Sequence, residues 1–142
     1  MGTEIFQGYY TSLEKIAEFI EETACQAGLD SNSLYQIKWA VDEACTNIIE
    51  HAYGGEGLGN IHCSCLTDAD KITILLQDQG KPFDPAVIID PDLCCPLEER
   101  QIGGLGLYLI KKFMDEVQFE FKSDYGNTLK LVKYINQGPS LG

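Results

Sequence analysis

A chain of 142 residues with 44% hydrophobic content has the apolar material for the core of one compact domain and too little length for two of ordinary size. Ten Lys and Arg against 22 Asp and Glu leave a formal net charge of -12, which argues against sequence-independent nucleic-acid binding, since neutralising phosphates needs clustered cations. No apolar run approaches the roughly 20 residues of a membrane span, and the N-terminus lacks a basic segment followed by an apolar one, so a cytoplasmic protein without a membrane or nucleic-acid partner is expected.

The opening segment TEIFQGYY, residues 3–10, is short and semi-apolar, which suits an edge strand or an arm. From Thr11 to Ala27, the residues Leu13, Ile16, Ala17, Phe19, Ile20 and Ala24 recur at helical spacing, and Gly28 stands where that helix would stop. A second helix opens at DSNS, whose Asp30 and serines suit an N-cap. It runs through Ile37, Val41, Ala44, Ile48 and Ala52 to Gly54 and Gly55. The period then changes to two. Ile61, Cys63 and Cys65 alternate with polar positions, and after a turn at TDAD so do Ile72, Ile74 and Leu76, which together predict a hairpin.

The stretch from Gly80 to Gly103 holds Pro82, Pro85, Pro91 and Pro96, has no sustained period, and is long enough for a lid. Gly103, Gly104, Leu105 and Gly106 lead into a helical stripe of Leu107, Ile110, Phe113 and Met114. Val117, Phe119 and Phe121 alternate in a strand, SDYGN is a turn, and Leu129, Leu131, Lys133 and Ile135 complete a second hairpin, followed by a loose tail. The order β, α, α, β, β, lid, α, β, β predicts an α+β two-layer sandwich, with helices on one face of a mixed, mainly antiparallel sheet.

The six cysteines, Cys25, Cys45, Cys63, Cys65, Cys94 and Cys95, include no C-x-x-C pair, so reduced small hydrophobes are expected rather than a metal site. Cys63 and Cys65 would share one face of a strand.

Glu43 and Asn47 lie four residues apart and project from one flank of the second helix, where a carboxylate beside a carboxamide can accept a proton and ligate Mg2+ through oxygen. Taken alone, the pair reads first as the polar face of an amphipathic helix. Asp78 shares parity with Ile72, Ile74 and Leu76, so its carboxylate points into the buried layer, where a charge is costly without a partner. An adenine amino group would serve, and Gly80 would let the base approach the backbone. A turn-forming Asp in QDQG explains the residue as well. Gly103, Gly104 and Gly106 before a helix could receive phosphate oxygens on free amides, although the spacing fits neither a Walker loop nor a dinucleotide fingerprint.

In combination the segments are more specific. DEACTNIIEHAY, DQGKPFDP, GGLGLYLIKKFMDEV and GNTLKL, in this order from about residue 41 to 133, resemble the N, G1, G2 and terminal motifs of GHKL ATPases. Within that superfamily, DQGKPFDP and GGLGLYLIKK resemble the anti-sigma-factor serine/threonine kinase branch. The resemblance implies one Bergerat-fold domain over 1–142 that takes ATP and Mg2+. Glu43 would be the general base and Asn47 the Mg2+ ligand. Asp78 would read the adenine amino group, aided by Gly80 and by Thr128 through water. Gly104, Leu105 and Gly106 would lie under the phosphates as a lid from Lys81 to Ile102 closes. Implied partners are a small STAS-type anti-sigma-antagonist protein as phosphoacceptor, a sigma factor, and a second copy in a homodimer. One departure is Arg100, which Gln101 and Ile102 separate from Gly103, so that its role at the γ-phosphate is left open. His51 and Tyr53 are taken as structural, and Trp39 as a core residue. A reading from another class, an ATP-gated module that sequesters a partner without phosphoryl transfer, stands beside the kinase.

Overall fold

Strict alternation of side chains along one strand sets the architecture. The computed structural model describes residues 2–81, 110–122 and 126–135. Within them, β1 (Gly2–Gln7), β2 (Asn60–Thr67), β3 (Lys71–Asp78), β4 (Glu116–Lys122) and β5 (Gly126–Tyr134) form one sheet in the order β1-β2-β3-β5-β4. All four pairings are antiparallel, so among the described strands the parallel component anticipated for a mixed sheet is missing. β3 lies at the centre, where Ile72, Ile74 and Leu76 are fully buried. Cys63 and Cys65 on β2 stand opposite Leu76 and Ile74, and on β5 Leu129 and Leu131 face the same two residues from the other side.

Two helices cover that face. α1 (Ser12–Gln26) contributes Ile16, Ile20 and Ala24, and α2 (Ser31–Asn47) contributes Ile37, Ala40, Val41, Ala44 and Cys45 to the core that contains the strand residues. Both helices carry their apolar residues at the three- and four-residue spacing that makes one stripe. On the opposite face of the sheet Ile5, Leu66 and Tyr134 are open to solvent, while Val132, across from Thr73, is buried. Segment 3–10 supplies the edge strand β1, and Gly28 ends α1 in the left-handed region at φ 85°. Residues 110–113 are helical. The half-buried Lys133 reaches from β5 to both layers, donating at 2.6 Å to Gln36 Oε1 and at 2.6 Å to the Phe113 carbonyl, where a helix end favours a cation.

Two expectations change. The second helix does not run as a plain α-helix to Gly54, because residues Ile48–Ala52 form a π-helical segment in which Tyr53 N–H reaches the Ile48 carbonyl at 3.0 Å. A side-chain stripe at positions 44, 48 and 52 is blind to this one-residue widening. Trp39 is 37% exposed and packs edge-on against Phe113 with ring centroids 6.1 Å apart, at the margin of the core rather than inside it.

With no neighbour free to collapse into the space, Ile74→Ala in β3 should cost about 2–5 kcal/mol. Leu66→Thr on the open face should stay within roughly 0.5 kcal/mol. Urea denaturation of both variants checks the contrast.

Candidate functional site

The site begins at the C-terminal end of β3, where Asp78 is only 3% exposed. Burial pushes its carboxyl pKa up, and hydrogen bonds from Asn127 and the Gly80 amide work against that shift by stabilising the ionised form. Both bonds fall on one oxygen: Gly80 N–H donates to Oδ1 at 2.8 Å and Asn127 Nδ2 at 2.9 Å. A carboxylate held this way keeps its second oxygen for an outside donor. Asn127 Nδ2 also donates to the Lys81 carbonyl at 2.7 Å, pinning the chain as it leaves the strand.

Backbone proximity does the rest. Gly126 opens β5 at φ 85°, and a Cβ there would overlap the Asp78 carbonyl. At Gly80 a Cβ would overlap the Ala52 carbonyl at the end of the π-helical segment, and the neighbouring Lys81 N–H donates to that same carbonyl at 2.8 Å. Thus the end of β3 is wedged between β5 and the end of α2.

α2 brings the other half. Glu43 and Asn47 are both half-buried on one flank of the helix. The Glu43 pKa is raised first by burial and then by the negative charges of Asp42 and Glu50, which favours a carboxylate able to take a proton. Asn47 Nδ2 is the one buried side-chain polar atom among the described residues without a hydrogen-bond partner. Such an orphan is costly unless a ligand completes it, and an amide offers its oxygen in place of its nitrogen by a half-turn of the side chain. A carboxylate and a carboxamide are hard oxygen donors, the chemistry Mg2+ takes. Asn47 therefore fits a Mg2+ site.

The structure thus brings Asp78 and Gly80 together, ties them to the end of the helix that carries Glu43 and Asn47, and parts them from Thr128. In the β3–β5 register Asp78 faces Asn127, whereas Thr128 faces Gln77 on the other side of the sheet and receives the Gln77 Nε2 hydrogen bond at 3.3 Å. Asn127, rather than Thr128, is the β5 residue beside Asp78. The signal was present in the sequence, since Asn127 shares parity with the buried Leu129 and Leu131. Gly104, Leu105, Gly106, Arg100 and lid residues 82–102 lie outside the described residues, as do Cys94 and Cys95. Cys45, Cys63 and Cys65 are free and buried, and burial raises all three thiol pKa values, that of Cys63 to about 12. His51 is exposed, while Tyr53 is half-buried beside Asp78 and Gly80.

Known proteins resemble this chain. A family model for the histidine kinase-like ATPase domain matches residues 6–133. The serine-protein kinase RsbW of Listeria monocytogenes is 36% identical over 132 residues, covering 90% of this chain and 82% of that protein. The RsbW of Bacillus velezensis is 34% identical over 125 residues, covering 80% and 72%. Among solved structures, the RsbU and RsbW domains of a Mycobacterium tuberculosis protein superpose with a TM-score of 0.62 at 14% identity, over 95% of this chain and 33% of that one. The nucleotide-free catalytic domain of histidine kinase ThkA gives 0.55 at 16% identity, over 95% and 98%. These structural likenesses establish the fold.

Asn127→Ala should destabilise the protein by about 1–3 kcal/mol at pH 7, because it strips a hydrogen bond from a buried carboxylate. Thr128→Val should cost less. The sign of the pH dependence follows from the raised Asp78 pKa: ionised Asp78 opposes folding, and protonating it removes that penalty. The Asn127→Ala deficit should therefore shrink as the pH falls through the folded-state pKa of Asp78, which denaturation at a series of pH values would reveal.

Proposed function

The chain belongs to the histidine kinase-like ATPase family, and from that premise we propose that it is an ATP-dependent protein serine/threonine kinase that acts as an anti-sigma-factor-type regulator. Its phosphoacceptor is a small STAS-type anti-sigma-antagonist protein, and a sigma factor is the second partner. Among the described residues no helix is long and apolar enough to cross a membrane, in keeping with work in the cytoplasm. The observation that carries the kinase reading is the pairing on one α2 flank of a Glu43 whose pKa is raised with an Asn47 amide that has no partner.

In this mechanism Asp78 accepts a hydrogen bond from the adenine amino group, with Gly80 allowing the base close to the backbone. Glu43 takes the proton of the acceptor hydroxyl. The hydroxyl oxygen bonds to the γ-phosphorus as the bond from that phosphorus to the bridging oxygen breaks, and ADP leaves with the electron pair. Asn47 would hold Mg2+, whose charge, when bound, offsets that of the phosphates. Most of the rate comes from holding the reactants in place.

Incubating the protein with radiolabelled ATP and candidate antagonist proteins should transfer label to a Ser or Thr. Glu43→Gln should lower transfer about 100-fold or more with ATP affinity nearly unchanged, whereas Asn47→Ala should weaken both. Asp78→Asn, which sets an amide NH2 against the adenine NH2, should be the most damaging change for binding. Wild-type protein that transfers no phosphate, yet holds a partner equally well with and without Glu43, would overturn the kinase in favour of ATP-gated sequestration.

The pH profile is a separate check. A general base works ionised, so transfer should fall as the pH drops through the Glu43 pKa, and that limb should lie above the ordinary 4.5. Asp42→Asn removes a neighbouring negative charge and should move the limb to lower pH.

A further inference from the structure

Tyr53 closes the DEACTNIIEHAY segment, and none of the roles so far uses it. Its phenol oxygen sits at a junction of three elements. The hydroxyl accepts from Gln79 N–H at 2.8 Å and donates to the Asn60 carbonyl at 2.7 Å. Gln79 lies between Asp78 and Gly80, and Asn60 opens β2, so a side chain issuing from the end of α2 grips the turn that carries the buried carboxylate.

The surroundings are shaped to this ring. A Cβ at Gly59 would overlap the Tyr53 ring, so only glycine leaves it room. The chain beside Tyr53 adds a backbone tie in the same direction, Ala52 O accepting Lys81 N–H at 2.8 Å, while Gly55 N–H closes the helix end on Ile49 O at 2.8 Å. The π-helical widening over Ile48–Ala52 begins directly after Asn47, so the residue fitted for Mg2+ and the residue bracing the Asp78 turn are joined by five residues of fixed geometry.

We propose that Tyr53 is a positioning residue for nucleotide selection, whose hydroxyl fixes the Asp78–Gly80 turn at a set place relative to Asn47 and so determines how strictly the site reads the 6-amino group of the purine. The inference rests on the kinase reading of the site and extends it to base specificity. Both hydrogen bonds lie at the solvent margin, with Gln79 and Asn60 exposed. Water can replace the hydroxyl there at little cost to folding, but it cannot hold the turn to one geometry. Loss of the hydroxyl should therefore be felt in recognition before stability.

The test compares Tyr53→Phe with wild type for ATP and ITP affinity, by calorimetry in the presence of Mg2+, together with thermal unfolding. ITP carries a 6-oxo acceptor where ATP carries the amino donor, so it cannot complete the bond to Asp78. Tyr53→Phe should lower ATP affinity about tenfold, barely change the ITP value, and so cut the ATP-over-ITP preference about tenfold, while the melting temperature stays within a few degrees. Gly59→Ala, which displaces the ring and keeps the hydroxyl, should erode the same preference. An unchanged preference in a folded Tyr53→Phe protein would overturn the inference, whether or not the melting temperature falls. Wild-type protein that binds no ATP would instead overturn the nucleotide reading on which the inference rests.

Discussion

A carboxylate kept inside the protein at the end of its central strand is the constraint on which the rest of the site depends. Burial alone would drive Asp78 toward its neutral form. The fold answers with donors that have no freedom to leave: a backbone amide two residues on and the side-chain amide of Asn127 directly across the sheet. Each donor demands close approach. Glycine at 126 lets β5 start against the Asp78 carbonyl, and glycine at 80 lets the outgoing chain pass under the Ala52 carbonyl. The surroundings of the carboxylate are thus built largely from backbone contacts, which hold position more strictly than flexible side chains would.

Much of this was legible in the sequence, and the unread parts have definite causes. Period-two alternation locates β2, β3, β4 and β5, and the same parity places Asp78 on the buried face. Thr128 was misplaced because motif matching fixes an order of residues along the chain but not the face of the sheet to which each side chain points. Parity with Leu129 would have selected Asn127. The π-helical segment was illegible for another reason: one extra residue per turn over five residues hardly disturbs an apolar stripe, and its effect lies in where the Ala52 carbonyl ends up, a tertiary fact.

Electrostatics pull the proposed site in two directions. Burial first, and then Asp42 and Glu50, raise the Glu43 pKa, making it a better proton acceptor. The same charges, on a chain of net charge -12, repel a triphosphate. Among the described residues near Glu43, the group suited to relieve that repulsion is neutral, the Asn47 amide, which can bring in a cation but supplies no charge of its own. On the proposed reading, the part of the base strength that comes from the acidic neighbours carries with it a stronger dependence on Mg2+.

On the proposed reading, the join between α2 and β3 suits this arrangement to phosphoryl transfer. A nucleotide spans its base and its terminal phosphate with several rotatable bonds, so holding the base alone leaves the reacting end free to wander. Here the helix bearing Glu43 and Asn47 ends in a widened turn whose last carbonyl is bonded to Lys81, one residue beyond the Gly80 that donates to Asp78. On the proposed reading, the base-reading carboxylate and the phosphate-facing flank are therefore joined through one set of backbone contacts. Fixing the base then also limits where the γ-phosphate can lie relative to Glu43, so binding energy gained at the adenine end reduces the entropy still to be lost at the reacting end.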